Sequence, residues 1–376
     1  MSIEYVEIRN ENTELLGIVD TAQSIIWHSV YFGVGDFEIY VQASPEILSL
    51  LQVGNLVTRP DDLEVGIIEK INIAYNPQDG RMVTVTGRFA KCLLERRLIY
   101  NLSGTVNTPT ILRGYVEEAV RGVVYDNAIN CEWDTRRNIP QLALGELSNI
   151  PLRIVDSDGY ATQKQVSYQN LLTYTDELLQ EYGLGATVIL DESAKLLRYV
   201  IYSGIDHSWD NDAGNAPIMF SKEFDNMTSS SYEYDAATEK NAALIGGAGE
   251  GVERFYSLVA GTQAGLQRRE MWVDASSLNR TYKDANDEET PYSDSEYKAM
   301  LDAAGTQQLN ANNATESFDG AIDIQNSQWK YNTDFALGDF VTVQDDDAGK
   351  YAKVQLREVL EVQDENGYTI EANNQK

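Results

Sequence analysis

The sequence predicts an α+β multidomain fold in which two related β modules flank an inserted α/β region, and three observations lead there. The stretch from Val53 to Thr86, VGNLVTRPDDLEVGIIEKINIAYNPQDGRMVTVT, returns in altered form near the C-terminus as LGDFVTVQDDDAGKYAKVQLREVLEVQDENGYTIE. From Arg88 onward the apolar period changes from that of strands to that of helices. At 376 residues the chain is also too long for one compact core and calls for roughly two to four domains.

The repeat sets the frame. Gly54 falls on Gly338, an offset of 284, which pairs Asn55 with Asp339, Leu56 with Phe340, Val57 with Val341, Thr58 with Thr342 and Asp61-Asp62 with Asp345-Asp346. After a four-residue insertion Ile68 falls on Leu356 and Ile71 on Val359, and Asp79-Gly80 lies near Asn366-Gly367. Each copy reads as strand, acidic turn, long strand, Asx-Gly turn, strand, because Asn/Asp-Gly supplies the positive φ of a hairpin turn. Two unrelated hairpins with shared turn chemistry are the alternative.

In chain order, the alternation in Ile3 to Ile8 and Glu14 to Asp20 predicts an N-terminal hairpin. Phe37, Ile39 and Val41 point one way and Glu38, Tyr40 and Gln42 the other, a half-buried strand. Ser44-Pro45 opens a short helix through Leu51, with proline tolerated at the first helical position. With the repeat these complete a first β module over residues 1–87.

Thr108-Pro109 is expected to start a helix with Leu112, Tyr115, Val116, Ala119 and Val120 on one face and Gly122 as its stop. A second helix is expected from Ser167, burying Tyr168, Leu171, Leu172, Leu178, Leu179 and Tyr182 before Gly183. Thr187 to Leu190 and Leu196 to Tyr202 flank a turn as a hairpin. These elements place an inserted α+β domain at 88–214, bounded by the polar loop 206–215. The second β module then spans 215–376, beginning with strand and turn over Met219 to Tyr234. It carries a helical insertion around 291–305, where Ser293 and Glu296 form a capping box, Tyr297, Met300, Leu301 and Ala304 line the helix, and Gly305 closes it.

Composition narrows the function. There are 59 acidic against 29 basic residues, a formal charge of −30, which disfavours adhesion to nucleic acid or anionic lipid and suits a wall that DNA slides past. The start MSIEYVEIRN is strand-like and unlike a signal peptide, and no apolar run is long enough to cross a bilayer, so synthesis in a cytoplasm and a soluble product are expected. Cys92 and Cys131 stand alone without a CxxC pattern and read as free, partly buried thiols.

No pattern assigns catalysis, a cofactor or a metal. Gly246, Gly247, Gly249 and Gly251 follow a short apolar run, but VERFYSLVA after them favours strand where a phosphate cradle needs a helix, and Glu250 and Glu253 would oppose the anion. His28 and His207 are the only histidines and lie outside any HExxH arrangement. Asp210 to Gly214 and Asp284 to Glu288 resemble calcium loops, yet Glu289 and Ser295 stand where an EF-hand needs Gly and a bidentate Glu. GxSxG is absent, and paired carboxylates can be proposed anywhere among 59, so they carry no information. Trp27-His28 and His207-Ser208-Trp209 read as packing, and Arg268-Arg269-Glu270 as ion pairs at a domain or subunit contact.

NAALIGGAGEGVERFY, then GLQRREMWVDASSL, a capped helix and YNTDFALGDFVTV resemble the Gp37-like tail proteins of long-tailed phages and prophages, which are similar to tail hub or tail-associated proteins. FGVGDFEIYVQ and the LLERRLI run from Leu93 to Ile99 agree, so the resemblance covers most of the chain. It implies two β-barrel-like tube domains around α/β material and assembly as a homotrimer. Three chains with two similar modules would present six quasi-equivalent positions to a six-fold tail tube. The resemblance further implies a non-enzymatic structural protein of the virion, at the tail tip or baseplate hub, lining or closing the DNA exit channel. Its partners would be a distal tail or tail tube ring protein, tape-measure protein and fibre or spike proteins, with DNA only in passage. Because the sequence stops soon after the second module, an appended peptidase, lysozyme-like or fibre region is not expected. The rival reading is a carbohydrate-binding adhesin or glycosidase of the tail tip, drawn from the aromatic and acidic content; a hub of a contractile injection apparatus would share the fold.

Overall fold

The computed structural model describes residues 3–78, 80–103, 105–155, 162–283, 289–322, 327–345, 347 and 349–373. The chain is mostly β, and its contacts gather into two compact units, Met1–Ser231 with Phe318–Lys376, and Tyr232–Ser317.

The first unit begins with β1 (Val6–Arg9), β2 (Leu15–Val19), β3 (Ala22–Val30) and β4 (Asp36–Gln42). Helix α1 (Pro45–Leu50) follows, its N-cap Ser44 accepting from Ile47 N–H at 3.1 Å as its sequence requires. The first copy of the repeat is β5 (Leu56–Thr58), β6 (Val65–Asn76) and β7 (Gly80–Phe89). After the short pair β8 (Leu102–Ser103) and β9 (Val106–Asn107) come β10 (Thr110–Arg113), α2 (Val116–Val124), β11 (Leu142–Leu144), β12 (Gln163–Val166) and α3 (Leu171–Glu181). The hairpin β13 (Gly185–Asp191) and β14 (Leu196–Tyr202) leads to β15 (Met219–Ser221) and β16 (Met227–Asp235).

Three expectations over 88–214 change. The segment after Pro109 is strand β10, held extended by antiparallel pairing with β12; the helix starts only at Val116, after Gly114 turns at φ +82°. Gly122 lies inside α2 rather than ending it, and the helix runs on through one π turn, Tyr125–Ile129. Tyr168 is not buried: it takes φ +63° and is 68 % exposed, and α3 begins four residues after Ser167, capped by Asn170. Leu56, Val65 and Ile67 share one core with Leu112, Val116, Leu171, Leu178 and Tyr199, so packing is continuous across residue 87.

In the second unit β17 (Ala242–Gly246) lies between β18 (Tyr256–Ala260) and β19 (Glu270–Asp274). The pair β20 (Thr281–Lys283) and β21 (Glu289–Pro291) precedes α4 (Asp294–Ala311), where the Ser293/Glu296 capping box forms as expected. Gly305 does not close α4. A Cβ there would lie 2.6 Å from Ile245 Cδ1, so glycine lets the helix approach β17, and α4 continues to Ala311. Tyr297 is fully buried in this small core; its hydroxyl donates to Leu278 O at 2.9 Å and accepts from Ala248 N–H at 2.8 Å. Tyr297→Phe strands both backbone groups and is expected to cost about 1–3 kcal/mol, read in calorimetry as a lower transition for this unit alone.

Strand β22 (Thr315–Ile322) pairs with β16, and these two strands carry the chain out of and back into the first unit. The second copy of the repeat follows as β23 (Phe340–Asp345), β24 (Lys350–Gln355), β25 (Glu358–Asp364) and β26 (Gly367–Asn373). The main sheet has nine strands in the order β2-β1-β5-β6-β7-β4-β3-β25-β26, every neighbouring pair antiparallel, and curls into a half-barrel. The last strands of the second copy therefore join the sheet that holds the first.

The two copies share their backbone pairing. Leu56↔Ile67, Val57↔Gly66 and Thr58↔Val65 in the first become Phe340↔Gln355, Val341↔Val354 and Thr342↔Lys353 in the second, the register the alignment requires. Gly54 N–H donates to Ile68 O and Ile68 N–H to Asn55 O, both at 2.9 Å; Gly338 N–H donates to Leu356 O at 2.7 Å and Leu356 N–H to Asp339 O at 2.9 Å. Gly54 and Gly338 take φ +93° and +96°. A bulge in β6 between Ile68 and Lys70 stands where Leu356 and Arg357 separate β24 from β25. Asp79 and Asp346 of the aligned turns lie outside the described residues.

Candidate functional site

The acidic turn of the first copy, Arg59 to Glu64, folds against the second copy instead of facing only water. Arg59 is 4 % exposed. Its Nε and Nη2 donate to Asp61 at 3.0 and 2.6 Å, and its Nη1 and Nη2 donate to Glu361 of β25, 302 residues away, at 2.9 and 3.1 Å. Tyr368 of β26 donates to the same Glu361 carboxylate, and the guanidinium carbon stands 5.3 Å from the centre of the Trp27 ring. Burial works against the Arg59 charge, but its hydrogen bonds to Asp61 and Glu361 outweigh it and hold the proton more tightly than usual.

Beside this pair Glu64 accepts from Ser29 Oγ on β3 at 2.6 Å and from Thr187 Oγ1 on β13 at 3.0 Å, and Asp62 Oδ1 accepts from Glu64 N–H at 2.7 Å. Asp61, Asp62, Glu64, Tyr202 and Tyr331 line a cavity of about 460 Å³. Burial pushes both inner carboxyls up, Glu64 to about 7 with the Asp62 charge adding to the shift, and Asp62 to about 6 against the pull of Arg59. Each keeps part of its surface on the cavity while protein surrounds it, and the enclosure sets the direction.

In an unfolded chain these carboxyls titrate near about 4. The folded protein keeps their protons to higher pH, so their contribution favours folding most at low pH and is lost as pH rises from about 4 to about 7. Glu64→Gln, which never ionises, is expected to raise the urea midpoint at pH 8 and to leave it nearly unchanged at pH 5.

Tyr31, immediately after β3, ties the same region together. Its N–H donates to Arg357 O at 2.7 Å, and its hydroxyl lies 3.1 Å from Gly183 O and 3.3 Å from Tyr202 O while accepting from Gly204 N–H at 3.3 Å. Its ring fills the space where a Cβ on Gly185 or Gly338 would stand, at 2.4 and 2.2 Å. The fully buried ring thus joins β3, the β13–β14 hairpin and the start of the second copy.

The residues singled out from sequence are placed elsewhere and scattered. The glycine run ends β17 and passes through a single 3-10 turn, Gly251–Glu253, into β18, with no α-helix between them. There Arg254 donates to Gly247 O at 3.0 Å, Gly246 O at 3.1 Å and Asp274 at 2.6 Å, so carbonyls already hold a cation where an anion would have to bind. His28 lies 3.5 Å from Asp36 and 3.8 Å from Glu358, and His207 Nδ1 lies 3.0 Å from Ala216 O. In the 210–214 loop the Asn211 side chain bonds Ser208 O and Asn215 O, a turn closed on itself. Asp284 to Glu288 lies outside the described residues, and among the described residues no group of three or more His, Cys, Asp or Glu is placed to hold a metal. Arg268 pairs with Glu270 at 2.7 Å and Arg269 with Glu239 at 3.3 Å, both within the second unit. Cys92 and Cys131 are free and buried.

Arg59, Glu361 and Tyr31 were not singled out, although the repeat carries a signal for two of them. Arg59 aligns with the buried Val343, and Glu361 aligns with Ile73. Each partner of the ion pair is charged where the other copy is apolar.

From residue 5 to residue 373 the sequence matches the family model of the Siphovirus ReqiPepy6 Gp37-like protein. The chain belongs to that family. Solved structures share the fold of this Gp37-like chain over nearly their full lengths. The 43 kDa tail protein of prophage MuSo2 from Shewanella oneidensis aligns at TM-score 0.55 and 11 % identity, covering 99 % of this chain and 98 % of that one. The tail protein from Neisseria meningitidis MC58 aligns at 0.51 and 13 %, covering 99 % and 96 %. Prophage tail protein gp18 from Listeria monocytogenes EGD-e aligns at 0.51 and 13 %, covering 99 % and 95 %. At such identities the likeness is one of fold. No curated protein matches the Gp37-like chain by sequence.

Proposed function

We propose that this Gp37-like chain is a structural, non-enzymatic hub of a phage or prophage tail tip. Three copies close a ring between the six-fold tail tube and the tip and line or close the channel through which tape-measure protein and DNA leave. The observation that carries this reading is the duplication: two copies with one register, one pair of backbone hydrogen bonds and one positive-φ glycine in each. Taking 1–87 and 215–376 as quasi-equivalent modules, with 88–214 between them, three chains offer six similar positions to a ring protein above. The charge of −30 suits a wall past which DNA slides. Within this reading Arg59–Glu361 and Tyr31 hold the two modules at a constant relation, as a ring element needs. Light scattering of the purified chain with negative-stain microscopy tests it: a three-chain mass and ring-shaped particles are the expected result, and a one-chain mass at every concentration without rings sinks it.

A further inference from the structure

The copies differ in one respect: what lies along the outer edge of their long strand. In the second copy β25 is covered by β3, antiparallel, from Glu358↔Val30 to Gln363↔Ile25. In the first copy the equivalent stretch is the far half of β6. Among the described residues its outer strand partner is β5, which reaches Val65 to Ile67, and the bonds of Ile68 to Gly54 and Asn55 end that contact. From Lys70 to Tyr75 no strand pairs with this edge among the described residues. Ile73 is 51 % and Tyr75 71 % exposed there. A bare strand edge with apolar side chains is a template for another strand.

We infer that β6 from Lys70 to Tyr75 receives strand β16 of a second copy of this chain, added antiparallel to the main sheet as β3 adds to β25. The inference rests on the ring reading above and names its subunit contact. Chain order identifies the donor. β3 precedes the first copy and pairs with β4, while β16 precedes the second copy and pairs with β22. β3 is engaged on both sides, by β4 and β25, so the corresponding strand for β6 is β16. Charge agrees with the direction. Antiparallel addition brings Glu233 and Asp235, at the end of β16, towards Lys70 at the start of the edge. At the matching end of the internal contact His28 stands 3.8 Å from Glu358. β16 of one copy on β6 of the next joins the β16–β22 pair of one chain to the main sheet of another, a head-to-tail contact that closes when the rotation allows.

Cysteine crosslinking tests it on the full chain. Ile73→Cys is combined in turn with Ser229→Cys, Ser231→Cys and Glu233→Cys, oxidised in the assembled state and run without reductant. One combination is expected to give covalent dimers and trimers, with the single variants remaining monomeric on the gel. On the unsubstituted protein, amide exchange over Lys70 to Tyr75 is expected to slow on the order of a hundredfold between dilute and assembled protein. A three-chain mass with no crosslink at any combination, or with exchange unchanged on assembly, overturns this contact and leaves the hub reading standing. A one-chain mass with neither crosslink nor protection overturns both.

Discussion

Arg59→Met is expected to destabilise the first compact unit by about 3–5 kcal/mol, seen as a large fall in the urea midpoint followed by tryptophan emission. The guanidinium is the cation that Glu361 meets at 2.9 and 3.1 Å, and Glu361 is itself 3 % exposed. Without Arg59 its carboxylate is left buried with the Tyr368 hydroxyl, and Asp61 loses two hydrogen bonds. Such a loss is costly because the remaining charge cannot be hydrated, whereas removing both partners together need not be. The double variant Arg59→Met with Glu361→Leu is therefore expected to recover most of the lost stability. Equal losses in the single and double variants would show that Arg59 acts through its stacking on Trp27 rather than through the ion pair.

Gly338→Ala is the second large effect, and Gly54→Ala is its built-in control. The two glycines are equivalent in the repeat and take nearly the same φ, +96° and +93°. That conformation alone costs a residue with a Cβ about 1–2 kcal/mol. Around Gly54 a Cβ would meet nothing within 4 Å, so its substitution is expected to cost only that strain. At Gly338 the added atom would stand 2.2 Å from Cε2 of Tyr31, whose backbone N–H is tied to Arg357 O and whose hydroxyl is tied to Gly183 O and Gly204 N–H. Overpacking adds about 1–3 kcal/mol, which brings the expected loss at Gly338 to about 2–5 kcal/mol. Urea titrations of the two variants side by side decide it: equal losses would mean that Tyr31 does not wedge against the second copy.

The elements that could be read in the sequence are those whose cause is local. Ser44 and Ser293 cap their helices, the strands at Phe37 and Leu196 alternate, and the glycine run after Ile245 turns into a strand, because each depends on a few adjacent residues. Where a residue type has two uses, the reading failed. Gly122 and Gly305 look like helix stops, yet one sits inside α2 and the other serves the close approach of α4 to Ile245. Thr108-Pro109 looks like a helix start, yet pairing with β12 holds the next residues extended. Tyr168 has the helical spacing of a core residue and lies outside the helix.

By itself the sequence determined the pattern the two stretches share, since turn chemistry and alternation recur and the backbone follows them into the same hairpin register and the same positive-φ glycines. Only the tertiary structure decided what each copy leans on: that β25 lies along β3 while the far half of β6 stays uncovered, and that Arg59 meets Glu361 and Tyr31 meets Gly338. The reason is physical. Backbone geometry answers to neighbours in the chain, whereas the burial of a charge or a ring is set by surfaces hundreds of residues apart, which become adjacent only when the sheet is assembled.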